Sequence, residues 1–288
     1  MTTRHARPAP RLPSGLVVPA VPTQDVLKKL LLDAVDGTPF DFFWLESLEA
    51  AVQIGKTELP LVVGPGVRGG PEAAAQVFDL LRSKAALQPV TTAAQGTTSF
   101  LRLARNAAGL EVLYLPRQAD ALRARLAEPI VRRDARELEG WIADRVPHHP
   151  LALRLAYRHL LGQSLAGPDL DPEDLPRLTA EDIATGVGVS RGHLFELQRK
   201  YGVKLSAVAR TWLARLAVLA RRLEGASWKQ IAWRSGYRWV SGLSGLFDQV
   251  FEERLKAVER RRDRWVQARI RERMVEATGV TEDEPDSE

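Results

Sequence analysis

The chain contains no cysteine. That excludes disulfides, thiolate zinc sites and thiol catalysis, and it fits a reducing, cytoplasmic setting. No stretch approaches the roughly 20 apolar residues of a membrane span. The opening MTTRHARPAPRLPSG has arginines but no apolar run behind them, so it does not read as a secretion signal. Residues 1–14, rich in proline and poor in apolar side chains, read as a disordered leader. Residues 278–288, which end in TEDEPDSE, read as a disordered acidic tail.

What the chain does have is charge in uneven supply. Gly186 to Arg273 holds 20 Lys and Arg against 8 Asp and Glu, a local charge of +12, within a chain of net charge +5. The remainder is therefore acidic by about −7. A basic C-terminal part on an acidic remainder points to a polyanionic partner for one half of the molecule. At 288 residues the chain is long enough for about two domains.

From Gly15 to about residue 130, short apolar runs alternate with helical stretches. GLVVPAV, FDFFWLE, LPLVVG, PVTTAA and LEVLYLP read as strands. DVLKKLLLDAV, SLEAAVQIGK, GPEAAAQVFDLLRSKAA, TTSFLRLARNA and ADALRARLAEPI read as the helices between and after them. Apolar strands alternating with helices predict a parallel sheet covered on both faces, an α/β (βα)5 domain at 15–130. Residues 131–177 read as a helical connector of two helices split at Pro147-His148-His149-Pro150. Trp141, Leu155 and Leu160 would pack it onto a neighbour.

The β/α pattern, its length and its ending YLPRQADALRARL resemble the receiver domain of response regulators. That resemblance implies an Asp at the end of the third strand, an acidic pair after the first, a hydroxyl at the end of the fourth and a Lys in the fifth. Here Gly64 ends the third strand, and Ala20, Val21 and Pro22 precede the first carboxylate, Asp25. Thr91 and Thr92 lie in the fourth with Ala93 and Ala94 behind them, and Arg117 stands where Lys is expected. Without carboxylates a hard Mg²⁺ has no ligands and there is no aspartyl nucleophile, so the domain reads as a pseudo-receiver. Receiver domains pair through their fourth and fifth strands and helices. The equivalent segment, Thr97–Leu126 with Phe100, Leu103 and Leu122, would then form a homodimer.

Gly64-Pro65-Gly66-Val67-Arg68-Gly69 matches G-x-G-x-x-G. It follows the third strand rather than the first, and no acidic residue ends the next strand to hold a ribose. It reads as a permissive loop rather than a dinucleotide site, though Arg68 and helix N-terminal amides could hold a small anion. His148 and His149, adjacent between prolines, rarely face one ion, and His159 lies a helix away, so they are not expected to share a metal. No cofactor, metal or catalytic residue is expected, and the chain does not read as an enzyme.

Residues 178–277 carry the stronger signal. In LTAEDIATGVGVSRGHLFELQRKYG, Ile183-Ala184 close one helix, Gly188-Val189-Ser190 turn and cap the next, and Leu194 fills the angle between them. The grammar returns 48 residues later with Ile231-Ala232, Gly236-Tyr237 and then Leu243, Phe247 and Phe251. One helix over roughly 205–224 joins the two. This tandem resembles the DNA-binding domain of the AraC/XylS family, with Ile183, Ala184, Gly188, Val189, Ser190, Leu194, Tyr201, Gly202, Ile231, Ala232, Gly236, Tyr237, Phe247 and Phe251 at matching positions. The resemblance implies two helix-turn-helix units on a shared helix that read successive major-groove faces of double-stranded DNA. Two departures stand out. Glu252 and Leu255 replace the family's Gly and Pro, so the second recognition helix is expected to run on. That helix also carries Gly242 and Gly245 with only Ser241 and Ser244 to reach bases.

Phosphate contacts are expected from Arg191, Arg199, Lys200, Lys229, Arg234 and Arg238. Base edges would fall to Arg191, Gly192, His193, Glu196 and Gln198, with Gln198 pairing an adenine and Glu196 accepting from a cytosine; Glu196 could instead pair with Lys200 along its helix. Ser190, Ser241 and Ser244 complete the set. The final basic stretch reads as one uninterrupted helix with Val258, Trp265, Val266 and Ile270 in an apolar stripe, meeting either phosphates or solvent. The leading reading is a DNA-binding transcription regulator. The alternatives are a scaffold whose basic helices bind protein or RNA, and an α/β nucleotide-binding enzyme.

Overall fold

The structure, a computed structural model, describes residues 16–21, 25–46, 50, 59–64, 87–92, 111–165 and 179–279. The expected leader, the glycine loop beyond Gly64, the helices expected at 47–56, 70–86 and 97–107, and the acidic stretch after Gly279 lie outside these residues, apart from Ala50. The chain divides into two compact units, Met1–Pro129 and Ile130–Glu288.

The first unit is built on a parallel sheet. Its strands are β1 (Val17–Val21), β2 (Asp41–Trp44), β3 (Leu61–Val63), β4 (Leu87–Thr92) and β5 (Leu113–Leu115), in the order β2-β1-β3-β4-β5. The register sets Val18 against Phe42, Val63 against Pro89, and Thr92 against Leu115. Val18, Ala20, Val62, Val63, Val90 and Leu113 are buried. Runs that are apolar at consecutive positions belong to strands with both faces covered, which is why the sheet is parallel rather than half-solvated. Helix α1 (Asp25–Val35) buries Leu27, Leu31, Ala34 and Val35 at helical spacing. Val26 and Leu32, also apolar, face outward.

Helix α2 (Ala119–Arg145) runs unbroken through Pro129. The sequence reading ended one helix near residue 130 and began another. Proline removes one backbone donor, and a 27-residue helix has enough other bonds to carry it. Leu122 and Leu126 of this helix are fully buried within the chain. Leu122 is therefore core and not a dimer contact, while Phe100 and Leu103 lie outside the described residues.

The second unit is helical: the C-terminal part of α2, then α3 (Leu151–Leu161), α4 (Ala180–Gly186), α5 (Arg191–Lys200), α6 (Leu205–Leu219) with a π-helical turn at Ala220–Glu224, α7 (Trp228–Arg234), α8 (Val240–Phe251), α9 (Leu255–Arg260) and α10 (Asp263–Thr278). One apolar core holds them. It takes Leu138, Ile142 and Val146 from α2 and the turn after it, Leu153, Tyr157 and Leu160 from α3, Val208 and Trp212 from α6, and Val266, Ile270 and Met274 from α10. The expected connector is thus part of this core. Trp141 packs at its edge, and Leu160 lies within it.

Helix α6 is buried on nearly every face, as a helix must be when others pack all round it. Its one buried charge, Arg215, is fully satisfied. Nε and Nη2 donate to Asp134 at 2.7 and 3.0 Å, and Nη1 and Nη2 donate to Asp263 at 2.7 and 3.3 Å. Burial opposes the charge, but the two carboxylates outweigh it and hold Arg215 protonated.

Two expectations for the C-terminus are corrected. Helix α8 does not run on: it ends at Phe251, with Glu252 in the left-handed region at φ 55°. The Glu252 carboxylate accepts from Arg269 at 2.7 Å and from Arg273 of α10, and these contacts offset the strain of a non-glycine residue there. The basic stretch is also two helices, not one. Arg261 and Arg262 are extended between them, with Arg261 paired to Glu253 and its carbonyl accepting from Arg222 Nη2 at 2.6 Å. The apolar stripe is real but buried, so α10 is a core helix.

Candidate nucleic-acid interface

The two helix pairs α4–α5 and α7–α8 repeat one another in their first caps and in their turns. Thr179 Oγ1 accepts from Asp182 N at 3.2 Å while Asp182 Oδ2 accepts from Thr179 N at 2.7 Å. Forty-eight residues on, Ser227 Oγ accepts from Gln230 N at 3.3 Å while Gln230 Oε1 accepts from Ser227 N at 2.8 Å. Both are capping boxes. The turns match too. Val189 N donates to Ala184 O at 3.0 Å, and Tyr237 N donates to Ala232 O at 2.9 Å. Each such bond spans a glycine with positive φ, Gly188 at 72° and Gly236 at 77°, where a Cβ would be strained. Ile183, Ala184 and Leu194 are buried in the first pair, and Ile231, Ala232 and Leu243 in the second.

The pairs part company after the turn. The second turn is one residue longer, so α8 starts 49 residues after α5 rather than 48. Ser190 Oγ caps α5 by accepting from His193 N at 3.2 Å, whereas Trp239 precedes α8 with no side-chain cap. Ser190 is thereby committed to the helix start.

On α5, Arg191, His193, Phe195, Glu196, Arg199 and Lys200 are exposed. The Arg191 guanidinium lies over the Phe195 ring at 5.4 Å. No ion pair joins Glu196 to Lys200 among the described residues, so the expected alternative role for Glu196 is not in place. Gln198 is a correction: its side chain turns inward, and Oε1 accepts from Leu205 N, the first residue of α6, at 3.3 Å. It closes the α5–α6 turn and does not lie on the outward face.

On α8 and around it, Lys229, Arg238, Trp239, Val240, Ser241 and Gly242 are exposed, and Ser244 and Gly245 half-buried. Arg238 lies over the Trp239 ring at 5.7 Å. Arg234 is the second correction. It is only 8% exposed, and its guanidinium grips Glu224 of the π turn through Nη1 and, at 3.4 Å, Nη2. A cation so placed holds the fold and is not available to a phosphate. The sequence reading passed over Phe195 and Trp239, which are 49% and 69% exposed. Counting outward from the buried Leu194 and Leu243 is the signal that would have found them.

The basic residues of the second unit fall into two groups. Arg215, Arg221, Arg222, Arg234, Arg261, Arg269 and Arg273 are all ion-paired. Arg273 donates to the Glu252 carboxylate and Arg269 stands beside it, which holds that carboxyl below its usual range; Arg261 does the same for Glu253. By contrast Arg191, Arg199, Lys200, Lys204, Lys229 and Arg238 make no ion pair among the described residues. Every one of these lies on or beside α5 or the α7–α8 pair, but cations elsewhere in the unit, such as Arg210, Arg254, Lys256, Arg264 and Arg271, also make no ion pair among the described residues. Lys204, between α5 and α6, was not singled out in the sequence.

No protein-family model, no curated protein and no solved structure matches the chain. The site therefore stands on its own geometry.

The other candidate sites are placed as follows. Strand β4 is described over Leu87–Thr92, and Ala93 and Ala94 lie outside the described residues. The Thr92 Oγ1 is buried without a hydrogen-bond partner among the described residues, and the neighbouring strands end in Val63-Gly64 and Leu115. Asp25 opens α1 and is exposed, as is Arg117. The rings of His148 and His149 meet edge to face with centroids 4.8 Å apart. His149 is buried with Nδ1 2.9 Å from the Tyr157 hydroxyl, and the His159 ring packs over Gly186, where a Cβ would meet it at 2.7 Å. Burial, with His148 adding to it, lowers the His149 pKa to about 4. Among the described residues, no helix is long and apolar enough to cross a membrane.

Proposed function

We propose that the chain is a DNA-binding transcription regulator acting in the cytoplasm. Its second unit carries two AraC-like helix-turn-helix elements, α4–α5 and α7–α8, on the shared helix α6. Its first unit is a receiver-like domain that lacks the phosphoacceptor chemistry. The observation that carries this reading is the repeat of the two helix pairs, with matching capping boxes and glycine turns, and with six cations on or beside them that make no ion pair among the described residues. A surface that leaves its cations unpaired beside two helix N-termini suits a phosphate backbone running past both.

In this reading Arg199, Lys200, Lys204, Lys229 and Arg238 meet phosphates. Arg191, His193 and Glu196 meet base edges in the major groove. Two such helices would engage faces of the duplex about one helical turn, ~34 Å, apart. In the first unit the strand order matches the doubly wound 2-1-3-4-5 arrangement, and Gly64 stands at the end of β3 where a receiver needs Asp. Control then comes through something other than phosphoryl transfer, and the unit binds rather than catalyses. The competing scaffold reading draws on the exposed Phe195 and Trp239. The unpaired cations beside those rings favour DNA.

The test is fluorescence anisotropy of the full chain on a mixed-sequence duplex across a salt series. Binding at low salt, weakening with a slope of roughly −4.5 in log K against log salt, is expected from about five phosphate contacts. Absence of binding to any duplex at low salt would give the scaffold reading the lead. Incubated with acetyl phosphate and Mg²⁺, the protein should gain no phosphoryl mass.

A further inference from the structure

We propose that the second helix pair recognises thymine, through its 5-methyl group, by apolar contact from Trp239 and Val240. The inference rests on the DNA-binding reading and assigns the outer face of α8 a ligand chemistry that hydrogen bonding cannot supply.

The argument starts from register. Val240 opens α8 where Arg191 opens α5, and Trp239 stands where Ser190 stands. First-turn residues of a helix inserted in the major groove meet base edges. At these positions the second pair offers an indole that is 69% exposed and a half-open valine at 36%. Neither is needed by the core, which α8 reaches through Leu243, Leu246, Phe247, Val250 and Phe251. Neither caps the helix by a side-chain bond. Exposed apolar area of this size is stabilised only when something covers it. On a duplex, the apolar group presented in the major groove is the thymine methyl.

Two further features make room for that contact. Gly242 is small for an internal reason, since a Cβ there would meet the Tyr237 ring at 2.7 Å. Gly245 has no such reason, because a Cβ there would meet nothing within 4 Å. Packing does not call for glycine at 245, and its effect is to leave the centre of the outer face bare so that the helix can sit close to the groove floor. The remaining groups on that face, Ser241 and Ser244, hydrogen-bond any base and so do not discriminate. Lys229 and Arg238, both without ion pairs, flank the apolar step with the positive charge a duplex requires.

The experiment begins with selection of duplexes from a synthetic random library by the full chain. Anisotropy then compares each selected duplex with versions in which thymines are replaced by deoxyuridine, which removes the methyl alone. The selected sites should carry two motifs about one turn apart, one of them containing thymine. Deoxyuridine in that motif should weaken wild-type binding about fourfold per methyl. Val240→Ser and Trp239→Ala, both surface changes, should bind the two duplexes equally. Arg238→Ala should weaken both and keep the difference, and Gly245→Val should lose the selected site. A selected duplex that shows no deoxyuridine penalty, or a penalty that survives both Val240→Ser and Trp239→Ala, would overturn this inference and leave the DNA-binding reading standing. Failure to retain any duplex would overturn both.

Discussion

The helix pairs α4–α5 and α7–α8 share every bond that makes the turn and almost nothing on the face they turn outward. Caps, glycines and buried Ile, Ala and Leu coincide at matching positions. Yet α5 shows Arg191, His193, Glu196 and Arg199 to solvent, where α8 shows Val240, Gly242 and Asp248 with Gly245 half-buried among them. The difference teaches that fold and recognition sit on separate positions of the same motif. The inner residues are held by packing, so they repeat. The outer ones are free of packing, so they differ, and they set what each pair can recognise.

The largest expected effect strikes what the pairs have in common. Arg215→Ala strips the buried partner from Asp134 and Asp263, which leaves Asp134 without its ion pair and Asp263 with Arg222 alone. Urea unfolding of the variant should show a loss of about 3–5 kcal/mol. A loss under 1 kcal/mol would mean that the clamp does not hold the shared frame.

Acid should separate the pairs. Helix α3 backs the first pair, and near it His149 is buried against Tyr157 and Tyr201 with His148 alongside. Its folded pKa, about 4, lies below the unfolded value of 6.5, so the unfolded chain takes up the proton more readily. Its stabilisation is therefore complete above pH 6.5 and lost as pH falls towards 4, at most about 3 kcal/mol. Around the second pair the depressed groups are the carboxylates Glu252, Glu253 and Glu259, whose contribution persists to lower pH and fails only as they protonate. Hydrogen exchange at pH 5 should thus show α4–α5 loosening before α7–α8, and His149→Gln should remove that order. Equal loosening of both pairs in the wild type would contradict the assignment.

Smaller and symmetrical effects are expected at the turns. Gly188→Ala and Gly236→Ala each force a Cβ into positive φ and should each cost about 1–2 kcal/mol in thermal unfolding. A large inequality would show that the turns are less alike than their bonds.

Much of this was legible in the sequence because it repeats or has a period. Helix α1 falls on Asp25–Val35 as its apolar spacing predicts, and α6 with its π turn fills the span expected for the shared helix. The two turns announce themselves by Ile-Ala and Gly. What escaped depends on partners in a neighbouring element, beyond the reach of one helix's own spacing. Arg234 looked like any surface arginine until Glu224 of the π turn met it. Gln198 looked like a base reader, but the amide of Leu205 claims it. The break at Arg261-Arg262 has no Gly or Pro to mark it, because ion pairs to Glu253 and from Arg222 fix it instead. Leu122 was read as surface because the spacing of a buried helix says which face is apolar and not what covers it.

The most direct test of the account is the salt dependence of duplex binding in four variants. Arg199→Ala and Arg238→Ala remove cations without ion pairs, and Arg269→Ala removes one tied to Glu252 and Glu272. Gln198→Ala removes the inward amide. The account predicts that the first two each lower the slope of log K against log salt by about one phosphate and leave unfolding unchanged. Arg269→Ala and Gln198→Ala should leave the slope as it is. An unchanged slope in Arg199→Ala and Arg238→Ala, with a reduced one in Arg269→Ala, would contradict the assignment of Arg199 and Arg238 to a phosphate backbone.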